Sequence, residues 1–219
     1  MTPNLSTRLW AEGVGTAFLL IGVVGSGIMA ENLSGGNTGV ALLANAIATG
    51  AMLYMLITTL GPVSGAHFNP VVTMAFAIRR EHKPNEVAPY VIVQIIGGII
   101  GVFISHLMFD LDVLQISTTE RTGMGQWIAE IVATFGLLFT ILGGLKHRPD
   151  TVPTLVALYI TGAYWFTAST SFANPAVTIA RSLSDTFAGI TPAHAPMFIV
   201  AQIIGTLLMV FVGAKIFKP

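Results

Sequence analysis

The chain has 219 residues, 53% hydrophobic and 9% charged, with ten Lys and Arg balancing ten Asp and Glu, 23 Gly and no Cys. A soluble domain carries about a quarter charged residues, so the composition points to lipid rather than water as the solvent. Zero net charge without a basic tract argues against a nucleic-acid partner, and the lack of Cys excludes disulfides, thiolate metal sites and cysteine nucleophiles.

Residues 32–78, 87–109, 131–145, 151–180 and 186–214 contain no Asp, Glu, Lys or Arg. A helix needs about 20 mostly apolar residues to cross the hydrocarbon, and the pattern predicts spans near 8–29, 38–60, 86–108, 125–145, 151–169 and 196–216. The first runs on to Met29 without a short h-region or cleavage site, so it is expected to be retained. Barrel strands would alternate in short segments, which these runs do not.

Span two leads into Ser64-Gly65-Ala66-His67-Phe68-Asn69-Pro70, and span five into Ser169-Thr170-Ser171-Phe172-Ala173-Asn174-Pro175. Pro in the first turn after Asn is a helix-start signature. The helices that follow, Val71–Ile78 and Ala176–Leu183, are short: about eight residues rise only about 12 Å, half a membrane. Two half-helices entering from opposite faces and meeting N-terminus to N-terminus at the midplane fit this pattern. Two ordinary loops with proline turns are the plainer alternative. Non-helical backbone at that depth survives only inside protein or along a water-filled cavity.

Six spans put both termini on one face. That face receives Arg8, Arg79, Arg80, Lys83, Lys146, Arg148, Lys215 and Lys218, whereas the other has Arg121 and Arg181, so both ends are expected in the cytoplasm.

The chain also copies itself. Ala11-Glu12-x-x-x-Thr16 recurs as Ala129-Glu130-x-x-x-Thr134, Asn69-Pro70-Val71-Val72-Thr73 as Asn174-Pro175-Ala176-Val177-Thr178, and Gln94-Ile95-Ile96-Gly97 as Gln202-Ile203-Ile204-Gly205. The repeats are about 1–110 and 120–219, within one transmembrane domain covering 1–219. Three spans per copy invert the second, which places a functional site between the copies at mid-depth.

Glu12 and Glu130 are carboxylates inside predicted spans, and an ionisable group there is a functional candidate. Their matching positions suit buried acceptors that brace the re-entrant backbone; a proton relay is the other reading. Asn69 and Asn174 would each cap a half-helix and offer an amide to the lumen. The helix N-termini would add partial positive charge against cations.

The paired Asn-Pro segments and Ala-Glu motifs resemble the major intrinsic protein family, the aquaporins and aquaglyceroporins, over essentially the whole chain. The resemblance implies an all-α membrane protein of six transmembrane helices and two re-entrant half-helices, one pore per protomer and a homotetramer in the bilayer. The sequence shows no nucleophile–base pair or HExxH and only five scattered His, so no enzymatic activity and no cofactor are expected. The family's filter positions fall on Thr49, Gly162, Ser171 and Val177. Members normally carry Arg at the last of these, and water channels carry an aromatic and a His at the first two. Four small or neutral side chains predict a wide, weakly polar constriction. It would pass small uncharged solutes such as glycerol-like polyols, urea-like amides and arsenite, with some water and methylated arsenicals. A bacterial arsenic-resistance subgroup with a non-Arg filter looks similar, which implies a multi-pass protein of the bacterial inner membrane.

Arg181 lies one turn beyond Val177. Its guanidinium would hang over the filter as a vestibule residue, or else it caps the helix end or pairs with Asp185. The second reading predicts that Arg181→Ala leaves neutral-solute flux near wild type. The competing function is a proton- or ion-coupled secondary transporter of a small polar solute, for which His67 is the nearest coupling group.

Overall fold

In the computed structural model, which describes residues 3–217, the chain is helical, with no strand among the described residues. Lys218, counted above among the basic residues near the C-terminus, lies outside them. Helix α1 (Leu5–Leu20) is capped by Asn4 and continues through a π-helical turn, Ile21–Gly25, into α2 (Ser26–Leu33). The first span is thus longer than its apolar core suggested. The π turn brings Ser26 and Val23 to Asn45 of α3 (Thr38–Ser64), whose buried Nδ2 donates to the Val23 carbonyl and the Ser26 hydroxyl, each at 2.8 Å. The remaining long helices are α5 (Pro84–Met108), α6 (Met124–His147) and α9 (Ala195–Ile216).

Among the described residues, five helical runs are long and apolar enough to cross a membrane: Leu5–Leu33, Thr38–Ser64, Pro84–Met108, Met124–His147 and Ala195–Ile216. The span expected near 151–169 is α7 (Val152–Phe166), 15 residues that rise about 22 Å. Two shorter helices complete the fold, α4 (Pro70–Ile78) and α8 (Pro175–Arg181).

The two halves pack alike. α1 lies against α5, α6 lies against α9, and α3 meets α7 between the halves. A side chain at Gly97 or Gly101 of α5 would collide with the Gly13 or Ala17 carbonyl of α1, so the pair needs glycine to close. The half-helices cross over: α4 touches α9 as well as α5, and α8 touches α5 as well as α9. Each therefore reaches the last long helix of the opposite half, which draws both inward. Large apolar side chains such as Trp10, Leu43, Ile92, Leu158 and Phe211 remain exposed around the outside, as a lipid-facing surface requires.

Candidate functional site

The site forms where α4 and α8 begin. Asn69 and Asn174 are the N-caps: the Asn69 side-chain oxygen accepts from the Val71 N–H, and that of Asn174 accepts from the Ala176 and Val177 N–H groups. Each amide then crosses to the other loop. Asn69 Nδ2 donates to the Ala173 carbonyl and Asn174 Nδ2 to the Phe68 carbonyl, both at 2.8 Å. The half-helices are hooked together at their starts. Sequence reasoning aimed both amides at the lumen, but one proton of each is used in this reciprocal clasp.

Those carbonyls are presented by strained backbone. Gly65, Ala66 and Phe68 in the first loop, and Thr170, Ser171 and Ala173 in the second, all have positive φ. Left-handed backbone costs a non-glycine residue about 1–2 kcal/mol, so something must hold it. Glu12 and Glu130 do so. The Glu12 carboxylate accepts from the His67 and Phe68 N–H groups, the Ser64 hydroxyl and Gln94 Nε2, at 2.6–2.9 Å. Glu130 accepts from the Phe172 and Ala173 N–H groups and Gln202 Nε2, at 2.6–2.9 Å. Both glutamates are fully buried. Every carboxylate oxygen is occupied by a structural donor, which suits a brace better than a proton relay.

Between the half-helices runs a cavity of about 120 Å3. Its lining combines apolar side chains, Leu19, Val23, Leu53, Leu137 and Ile160 among them, with the loop residues Gly65–Asn69 and Asn174. The Phe68 ring occupies the space beside Gly15 of α1, so that residue gives the lumen its backbone rather than its side chain. His67 also lines the lumen. Its ring is stacked on Phe76 with centroids 4.9 Å apart, and its Nδ1 lies 3.0 Å from the Thr73 hydroxyl.

Beyond the Asn pair, on the side away from the termini, the lining includes Thr49, Tyr164, Ser171, Phe172, Val177 and Arg181. The Thr49 and Tyr164 hydroxyls are 3.2 Å apart, and the buried Ser171 hydroxyl has no hydrogen-bond partner among the described residues. Thr49, Ser171 and Val177 all line this cavity. Gly162 does not. It is exposed, on the far side of α7 from Val152, Val156, Ile160 and Tyr164, which recur every four residues along the lumen. Position 162 lies two residues from both Ile160 and Tyr164, about 200° around the helix, and so faces outward. Counting back from Asn174 presumed a fixed connector; the helical register instead selects Tyr164. Gly162→Ala should therefore leave glycerol flux within about twofold of wild type, whereas Tyr164→Ala should raise large-solute flux severalfold, as stopped-flow assays would show.

For Arg181 the structure favours the first of the two sequence readings, a side chain at the lumen, over the pairing with Asp185. Arg181 is 2% exposed, lines the cavity and places its guanidinium carbon 3.5 Å from the Phe172 ring centroid, while its Nε donates to the Ala188 carbonyl. It does not pair with Asp185. The Thr118 backbone N–H and hydroxyl, each 2.8 Å away, occupy that carboxylate and hold its pKa below the ordinary value. Sequence reasoning missed Tyr164, although the apolar stripe of α7 pointed to it. It also counted Arg121 only as a loop charge, and the structure folds that side chain in toward Phe172, 5.2 Å from guanidinium carbon to ring centroid.

Comparison with known proteins gives a consistent result. The family description Major intrinsic protein matches residues 1–168. The chain is 50% identical over 216 residues to Aquaglyceroporin AqpS of Rhizobium meliloti (strain 1021), covering 99% of this chain and 92% of that protein. It is 29% identical over 233 aligned positions to Aquaporin AqpM of Methanothermobacter marburgensis, covering 94% and 95%. The X-ray structure of the aquaglyceroporin from Plasmodium falciparum superposes with a TM-score of 0.79 at 19% identity, over 99% of this chain and 98% of that one.

Proposed function

This chain belongs to the major intrinsic protein family, and from that premise we propose that its lumen conducts glycerol-like polyols and other small neutral solutes. As a member it is an integral membrane protein and an aquaglyceroporin-type channel for small solutes. The observation that carries the finer reading is the mixed lining of the lumen. Apolar side chains share it with the two Asn-bearing loops, and a polyol likewise combines a carbon chain with hydroxyls. Val177 supports a wide constriction, because it replaces a long cationic side chain by a small apolar one. Urea-like amides and arsenous acid share the size and neutrality such a pore selects.

The proposed filter is Thr49, Tyr164, Ser171 and Val177, with Arg181 as the cationic donor moved one turn outward. Asn69 and Asn174 form the central constriction and Glu12 and Glu130 brace the loops. The two copies, about 1–110 and 120–219, are read as an inverted repeat. The protomers are proposed to form homotetramers in a bacterial inner membrane, with both termini cytoplasmic on the basic side. Permeation is passive in this reading, since His67 is already engaged by Phe76 and Thr73.

Stopped-flow light scattering on proteoliposomes tests the solute class. Glycerol and arsenous acid should equilibrate at least tenfold faster than in protein-free vesicles; flux of water alone would overturn the proposal. Among the residues lining the cavity, Arg181 is the one with a permanent charge. Its removal should lower the barrier to cations, so Arg181→Gln is expected to raise methylammonium leak severalfold. An unchanged leak would return Arg181 to a purely structural role.

A further inference from the structure

Arg121 and Arg181 are two cations gathered over Phe172 at one end of the lumen, and neither has an acidic partner among the described residues. Three successive carbonyls receive them: Arg121 donates from Nε to Gly189 at 2.7 Å and from Nη2 to Phe187 at 3.3 Å, and Arg181 donates from Nε to Ala188 between them. Both guanidinium groups lie over the Phe172 ring, with carbon-to-centroid distances of 5.2 and 3.5 Å. Neither arginine forms an ion pair among the described residues. Asp185 is taken by Thr118, and Glu130 by the Phe172 and Ala173 N–H groups and Gln202. The Arg181 terminal nitrogens and Arg121 Nη1 make no hydrogen bond to any described residue.

Carbonyl dipoles and an aromatic face ease the burial of a cation but leave its charge uncancelled. Guanidinium groups present a planar fork of donors that matches an oxyanion in geometry as well as charge. The Ser171 hydroxyl, next in sequence to Phe172 and lining the same cavity as Arg181, is buried with no partner among the described residues and adds a further donor. We propose that the Arg121–Arg181 pair is a binding site for a small singly charged oxyanion, which seats at this mouth and competes with neutral solutes for entry. Arg181 supplies the contact from the lumen. Arg121 is a positioning residue that fixes the 187–189 carbonyls and adds the second charge. The competition rests on the conducting lumen proposed above; the binding does not.

Two readouts separate them. Nitrate is the probe, exchanged for bulky gluconate at constant ionic strength. Nitrate at 100 mM should slow glycerol flux into wild-type proteoliposomes at least threefold, and should raise the thermal midpoint of the full chain in detergent. Both effects should vanish in Arg121→Gln and in Arg181→Gln, and should persist in Lys146→Gln, a change near the opposite face. If Arg181→Gln fails to fold, Arg121→Gln decides. Nitrate effects that are absent in wild type, or retained in Arg121→Gln, overturn the site. A wild-type protein that melts higher in nitrate but passes no glycerol upholds the site and removes the channel reading.

Discussion

Val177→Arg is expected to cut glycerol flux at least tenfold while reducing water flux less. Val177 is buried, lines the lumen and sits one turn inward of Arg181 on the same face of α8. In the proposed filter, a guanidinium there would fill space beside Thr49, Tyr164 and Ser171 that a larger solute must cross. It also places a second cation four residues from Arg181, where like charges repel. A tenfold loss requires only about 1.4 kcal/mol of added barrier, which is within the cost of about 1–3 kcal/mol of one poorly matched polyol hydroxyl. Stopped-flow measurement with glycerol and water on the same vesicles checks both parts. Glycerol flux equal to wild type, in a variant that still folds, would remove Val177 from the constriction.

The second large effect concerns folding. Glu130→Ala should abolish accumulation of monodisperse protein in detergent, and Glu12→Ala should do the same through the other loop. Without the Glu130 carboxylate, the Phe172 and Ala173 N–H groups and Gln202 Nε2 all lose an acceptor in a fully buried site. Each such group costs about 1–3 kcal/mol when left unpaired. The sum rivals the whole stability of a folded domain, about 5–15 kcal/mol. Ala173 also carries left-handed backbone, as do Thr170 and Ser171 before it, so the loop needs this support. Glu130→Gln retains one acceptor oxygen and should survive with a lowered melting temperature. A stable, wild-type-like Glu130→Ala protein would mean that the brace holds nothing.

The legible part of this fold was whatever repeats or interrupts the apolar runs. The two Asn-Pro segments announced short helices because Pro and Asn fix a helix start locally, and their spacing left too few residues for a full span. Glu12 and Glu130 stood out because carboxylates inside apolar spans need a reason, and their matching positions suggested a common one. What the sequence withheld depends on contacts between distant segments. The rotation of Arg181 into the lumen is set by the Ala188 carbonyl in a loop with no regular pattern. Arg121 is drawn in by the same loop, from 66 to 68 residues away in the chain. The Asn clasp needs carbonyls that only the positive φ of Phe68 and Ala173 can aim, and neither residue is a glycine that would have announced it. Gly162 was a different kind of miss. The stripe Val152, Val156, Ile160, Tyr164 was readable, and counting from the wrong reference point obscured it.

Because the chain has no Cys, a single introduced thiol reports on one position only. Val72 on α4 and Val177 on α8 both line the cavity, one from each half-helix. Glycerol flux through Val72→Cys and through Val177→Cys, before and after a small methanethiosulfonate reagent, tests whether the two half-helices border a single conduit. The account predicts that labelling either thiol stops the flux. Unchanged flux in vesicles whose cysteine is shown by mass spectrometry to be modified would contradict it.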